Sequence, residues 1–405
     1  MGKRNKKSCS VYILSSMLFL FCLVLIAIGF TGKSHAVISR FQEQFQKEEI
    51  PYQTTDEISR EELDGKYYYQ QLGADEKTVY REILQGVQEN IEEIYVHASD
   101  SKKTNTLFQY VMKDYPEIFW CNGTTTSTVY KGEEGETYTV LEPVYLYDSE
   151  RRKVMEQEIR DAADQCIAEV QETAGDYEKI LYVYEYIVNL VEYDQEASDN
   201  QNIYSVLVNH RSVCAGYSKA TQYLLERMGV FCTYVTGKTT DGQSHAWNLV
   251  KCNGDYYYVD TTWGDPVFQE SEGDSESDQN HISYDYMCCD EEELFRTHIP
   301  DSDILFPSCT KMDYNYYVVN GMYYREYNSK EILKSMNETI WAGENPTVLK
   351  FSDHDVYAKA HDDIFQNLIK TAARNLADYY QMSEVKYQYL DDPDLNKITI
   401  YWRYR

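Results

Sequence analysis

Two runs rich in apolar and aromatic residues, 244–252 (SHAWNLVKC) and 255–261 (DYYYVDT), are joined by Asn253-Gly254. Asn-Gly accepts positive φ at both central positions of a type I′ turn, so the dipeptide predicts a two-residue β-hairpin. Such a turn fixes the register, and paired residue numbers must sum to 507. His245 then lies opposite Thr262 and Trp247 opposite Asp260. That puts His245 and Asp260 on one face as diagonal neighbours, roughly 7 Å apart at the backbone and within side-chain reach.

Upstream, Tyr217, Thr221, Leu224, Leu225 and Met228 recur on one face of a helix that Gly229 stops. Cys214 sits in its first turn. Unpaired backbone N–H groups and the positive end of the helix dipole stabilise a thiolate there, and the thiolate is the nucleophilic form of cysteine. A carboxylate that orients an imidazole, next to a helix-start thiol, is the generalised arrangement of nucleophile, base and orienting group. Cys214 is the expected nucleophile, His245 the general base and acid, and Asp260 the orienter. Any one of the three alone has an ordinary structural explanation; their order and alignment carry the assignment.

The segments Val213-Cys214-Ala215-Gly216-Tyr217, Gly229-Val230, Gly237, His245-Ala246-Trp247-Asn248 and Tyr258-Val259-Asp260-Thr261-Thr262-Trp263 resemble the transglutaminase-like superfamily of papain-fold cysteine enzymes, in its bacterial extracytoplasmic branch. The resemblance covers roughly residues 70–300. It implies an α+β fold, with the Cys214 helix packed on an antiparallel sheet. It also implies a thioester on Cys214, formed from a peptide or protein amide and resolved by an amine (transfer) or by water (peptidase or deamidase). An upstream side chain, Gln201 or Tyr204, is expected to share the oxyanion hole with the Cys214 amide. The family also contains binding or scaffolding modules, and an envelope scaffold is the alternative here. No metal and no cofactor are expected; the calcium of some animal members has no recognisable ligand set in the matching region.

Lys and Arg total 38 against 67 Asp and Glu, a net charge of −29, so nucleic acid is excluded as a natural partner: phosphate binding needs a basic surface. Between Lys7 and Lys33 lie 25 residues without a charge. Their apolar centre, 11–30, is about the length that spans a bilayer as a helix, and the basic cluster before it orients the rest outward. A single-pass signal anchor is expected, with secretion after cleavage near Ala36 as the alternative; either way the substrates would be cell-envelope peptides or surface proteins. Outside this segment eight cysteines show neither a disulfide ladder nor a metal knuckle. Cys288-Cys289 near His281 and His298 fit tetrahedral zinc poorly, so buried free thiols are expected.

The chain divides into a basic tip and anchor (1–36), a polar stalk (37–66), an α/β subdomain (67–150), the transglutaminase-like core (151–309) and a C-terminal α/β domain of unknown role (310–405). Apolar spacing predicts helices over 74–96, 107–112, 155–170, 179–191 and 355–380. Strands are expected over 118–121, 137–147, 314–324, 385–390 and 397–404, and 268–281 reads as a solvated acidic loop.

Overall fold

The computed structural model describes residues 50–55, 58–133, 135–265 and 282–404. The expected membrane anchor, the stalk up to residue 49 and the acidic loop lie outside the described residues. Among those described, no helix is long and apolar enough to cross a membrane.

The chain from Tyr52 onward packs as one unit. Its elements run α1 (Ala74–Gln88), β1 (Ile94–Val96), α2 (Ser101–Asp114), β2 (Cys121–Lys131), β3 (Thr137–Tyr145), α3 (Ser149–Ala168) and α4 (Asp176–Leu190). Then come β4 (Glu192–Tyr193), α5 (Ile203–Leu207), β5 (Arg211–Ser212), α6 (Cys214–Arg227), β6 (Cys232–Thr239), β7 (Ser244–Cys252), β8 (Asp255–Val259), β9 (Met287–Cys289) and β10 (His298–Pro300). The C-terminal part adds β11 (Tyr323–Tyr324), α7 (Ser329–Ala342), β12 (Thr347–Phe351), α8 (His354–Asp363), α9 (Ile369–Tyr380), β13 (Tyr387–Asp392) and β14 (Lys397–Trp402).

The central sheet is antiparallel in the order β10-β6-β7-β8-β9. Its two faces enter different cores because side chains alternate along a strand. Val250, Cys252, Tyr257 and Val259 join the helices in one apolar cluster, which runs from Leu63 to Cys288 through both the 67–150 segment and the 151–309 segment. Val235, Trp247, Leu249 and Tyr258 face the other way, against Leu294, Cys309 and Met312. A separate cluster fills the four-stranded sheet β11-β12-β14-β13 and its helices.

Buried charges join that C-terminal part to the core. The Lys350 ammonium, fully buried, donates to Asp285 Oδ1 at 3.2 Å, to Glu293 Oε1 and to the Leu395 carbonyl at 2.7 Å, and Lys397 donates to Asp285 Oδ2. Burial favours the neutral form of Asp285, but the two lysines outweigh it and hold its carboxyl well below the usual range.

Three expectations on segments need correction. Residues 58–66 are not spacer: Ser59 caps a helical turn over Arg60–Asp64, Leu63 is buried in the main cluster, and Lys66 pairs with Glu226 of α6 at 2.9 Å. The 74–96 helix ends at Gln88, because Asn90 turns into the left-handed region and Ile94–Val96 pairs with β3 instead. The 314–324 strand is a helical turn over Tyr316–Val319 followed by the two-residue β11: buried Asn315 caps Tyr317 N while its amide donates to the Asp285 and Met287 carbonyls.

Candidate active site

The hairpin forms in the expected register. Cys252 pairs with Asp255 and Asn248 with Val259, and Asn253 and Gly254 hold φ of 48° and 99°. Pairing stops at Val259. Asp260, one residue past the strand, turns its Oδ1 back to accept from Thr262 N at 2.9 Å and Trp263 N at 3.2 Å. Its other oxygen, Oδ2, lies 2.7 Å from His245 Nε2.

Val213, extended at φ −123° and ψ 178°, leads into α6 and leaves Cys214 at its first position. The helix is pinned to the sheet by polar bonds. Ser218 Oγ lies 2.9 Å from both the Cys214 and Ala246 carbonyls, and Asn248 Nδ2 donates to the Ser218 carbonyl at 2.9 Å. This lock fixes the start of α6 against β7, the strand that carries His245, and the Cys214 thiol lies within hydrogen-bonding reach of the imidazole. Cys214 is half-buried, whereas the other seven described cysteines are buried; all eight are free thiols.

The electrostatics follow from the burial. Asp260 is fully buried, which by itself raises a carboxyl pKa, yet the charge and hydrogen bond of His245, with the hydrogen bond of His298, hold it well below the usual carboxylate range. For His245 burial pulls the imidazole pKa down, but the Asp260 charge and hydrogen bond, with the Cys214 thiol beside the ring, push it up to about 10. A carboxylate can only accept, so Nε2 of His245 carries the proton it shows to Asp260. Nδ1 is the ring nitrogen left to serve the thiol.

Sequence reasoning missed His298. On β10, its Nε2 lies 3.0 Å from the same Asp260 Oδ2, and its Nδ1 lies 2.8 Å from Thr297 Oγ1. Nothing in the run His298-Ile299-Pro300 signals this, because the contact depends on β10 pairing with β6, His298 opposite Thr239. Gly237 makes the close pairing possible: a Cβ there would sit 2.2 Å from the Ile299 carbonyl and 2.6 Å from the Trp247 ring.

The oxyanion expectation fares differently. Tyr204 is engaged elsewhere, its hydroxyl bonded to Glu158 at 2.8 Å and its ring stacked on Phe119, because α5 packs beside α3. Gln201 is exposed in the turn before α5. The upstream side chain brought to Cys214 is Tyr193. The parallel pair β4·β5 sets it opposite Ser212, two residues before the thiol, and its ring meets Tyr217, one helical turn after it. Burial and then the Cys214 charge raise its phenol pKa.

Among the described residues, His245, Asp260 and His298 also form a grouping whose donor atoms lie within 4.8 Å of one another. Both Nε2 atoms are already hydrogen-bonded to the one carboxylate oxygen, which leaves the trio satisfied without a cation.

Residues 162–261 match the sequence profile of the transglutaminase-like superfamily. Over 190 residues the chain is 25% identical to the Kyphoscoliosis peptidase of Mus musculus, covering 42% of this chain and 28% of that protein. Over 122 residues it is 26% identical to the Kyphoscoliosis peptidase of Homo sapiens, covering 26% of this chain and 18% of that protein. The chain thus spans under a third of the length of the curated relatives it matches. A crystal structure of a TGase aligns with 46% of this chain and 54% of its own at 15% identity and a TM-score of 0.26. The profile ends one residue beyond Asp260, so Cys214, His245 and Asp260 fall inside it and His298 outside: the chain carries a transglutaminase-like domain over residues 162–261.

Proposed function

We propose that the protein is a thiol-dependent acyl-transfer or amide-hydrolysing enzyme. One observation carries the reading: a half-buried thiol at a helix N-terminus faces an imidazole whose far nitrogen is held by a buried carboxylate. Cys214 Sγ attacks an amide carbonyl carbon, the S–C bond forms, and the carbonyl electrons move onto oxygen. That charge is assigned to the Cys214 N–H, one of the helix's first amides, with the Tyr193 side chain as the candidate to share it. As the C–N bond breaks, His245 gives its proton to the leaving amine. Water or a second amine then attacks the thioester carbonyl and gives its proton to His245, and the C–S bond breaks to release the acid or the new amide and return Cys214 as the thiolate.

An envelope location with an N-terminal membrane anchor remains part of this proposal, supported by the uncharged run 8–32 and the basic cluster before it. The substrates would then be peptides or proteins outside the membrane.

The test is to incubate the protein with glutamine-containing and envelope-type peptides plus a labelled primary amine. Amine incorporation or peptide cleavage, lost in Cys214→Ala, supports the proposal and tells transfer from hydrolysis. Turnover that survives Cys214→Ala refutes the assignment. A native protein with no turnover, whose Cys214→Ala variant still binds the same partner, is a scaffold.

A further inference from the structure

We infer that His298 is a positioning residue of this site, donating its Nε2–H to Asp260 Oδ2 and so dividing one carboxylate oxygen with His245. The inference deepens the acyl-transfer reading and rests on it for its catalytic meaning. His298 is fully buried and has no route to a substrate, so it acts through Asp260 alone.

Four N–H groups converge on that carboxylate. Two backbone amides hold Oδ1 and two imidazoles hold Oδ2. The first two amides and His245 would already fix the side chain. What His298 adds is competition, because each further donor on Oδ2 withdraws negative charge from the bond to His245. An imidazolium held too tightly by its carboxylate is a poor acid toward a leaving amine, and catalysis favours a proton affinity nearer the working pH. His298 therefore tempers the pull of Asp260 on the His245 proton.

The surroundings are built to hold this ring. His298 packs against Trp263 at 4.8 Å, Trp247 at 5.0 Å, Tyr286 at 5.1 Å and His245 at 5.2 Å between ring centroids. Behind it, Thr297 Oγ1 meets Nδ1 and is itself 2.7 Å from the Tyr286 hydroxyl. The titratable groups facing this cluster are Cys214 of α6, Asp260, His245 of β7, Tyr193 of β4, Tyr184 of α4 and Tyr286 ahead of β9. Asp260 is the acceptor the two histidines share. An apolar ring would fill the same space, which makes His298→Phe the informative change.

The experiment uses histidine-labelled protein and follows the His245 titration by NMR, alongside alkylation of Cys214 by iodoacetamide across pH. In His298→Phe the His245 titration moves up by about one pH unit, since a lost donor returns charge to Oδ2. Turnover falls about tenfold in kcat, that same unit expressed as a rate, with KM unchanged. His298→Gln, which keeps an amide N–H near the Nε2 position, restores both. An unmoved His245 titration in a folded Phe variant overturns the inference. If that variant does not fold, Thr297→Val leaves the ring in place and frees Nδ1; it should move His245 the same way by less, and no movement there overturns it too. Should Cys214 prove unreactive in the native protein while the Phe variant still shifts His245, the coupling stands and the acyl-transfer reading falls.

Discussion

Asp260→Asn removes one charge and almost no volume, so its effects isolate what the carboxylate does. In the native site two imidazole N–H groups converge on Oδ2. An amide nitrogen there meets two donors with a third. The relaxed solution moves the His245 proton to Nδ1, where the ring donates toward the thiol and can no longer accept from it. The same carboxylate-to-amide change in a Ser-His-Asp triad lowers kcat by roughly 10⁴-fold. A thiol needs its base less than a hydroxyl does, so we expect a fall of about 10³-fold here.

The same substitution changes the pH dependence of stability. His245 titrates at about 10 in the fold, with burial opposing and Asp260 and Cys214 favouring its charged form. A histidine in the unfolded chain titrates near 6.5. The folded state binds this proton more tightly, so the stabilisation is complete below about pH 6.5 and is lost as pH rises toward 10, roughly 5 kcal/mol in all. Urea denaturation of both proteins at pH 6.5 and pH 9.5 measures it. The native protein should lose about 3 kcal/mol more than Asp260→Asn across that interval. Parallel losses, or a variant within tenfold of native turnover, would mean that Asp260 does not set the charge of His245.

Lys350→Met should cost about 3 kcal/mol, because it leaves the buried Glu293 carboxylate with Arg296, 3.7 Å away, as its remaining cation, while Lys397 still serves Asp285. The deficit should grow from pH 5 to pH 8, since burial raises the Glu293 pKa and the lysine opposes it, and Glu293→Gln added to Lys350→Met should recover most of it; a pH-independent deficit would contradict this account. Gly237→Ala should lift β10 from β6, cost about 1–3 kcal/mol in urea denaturation and slow Cys214 alkylation, whereas native stability would show that the strand adjusts freely.

The hairpin and the start of α6 were legible because their determinants are local. Asn253-Gly254 sets a register by itself, and Cys214 begins an apolar helical period. His298 was not, since its role appears only when β10 pairs with β6 at Gly237, 61 residues earlier in the chain than His298. Tyr193 was missed for the same reason: its place beside Cys214 comes from the two-residue pair β4·β5, too short to leave a pattern. Tyr204 drew attention by sequence proximity, yet α5 turns it onto Phe119 and Glu158. The strand expected over 314–324 failed because aromatic and β-branched content reflects burial as much as backbone preference, and the Asn315 cap decided the backbone.

The arrangement of thiols has a practical side. Among the described residues, a folded molecule offers solvent one half-buried cysteine, Cys214, and hides seven others in its interior. A brief pulse of alkylating reagent should therefore add a single adduct among residues 50–404 of a folded molecule and several there to one that has opened. Positions 121 and 166 belong to the helical side, 289 and 309 to the opposite face of the sheet, so the site of each extra adduct names the layer that has come apart. The chain carries its own map of local unfolding, readable by mass alone.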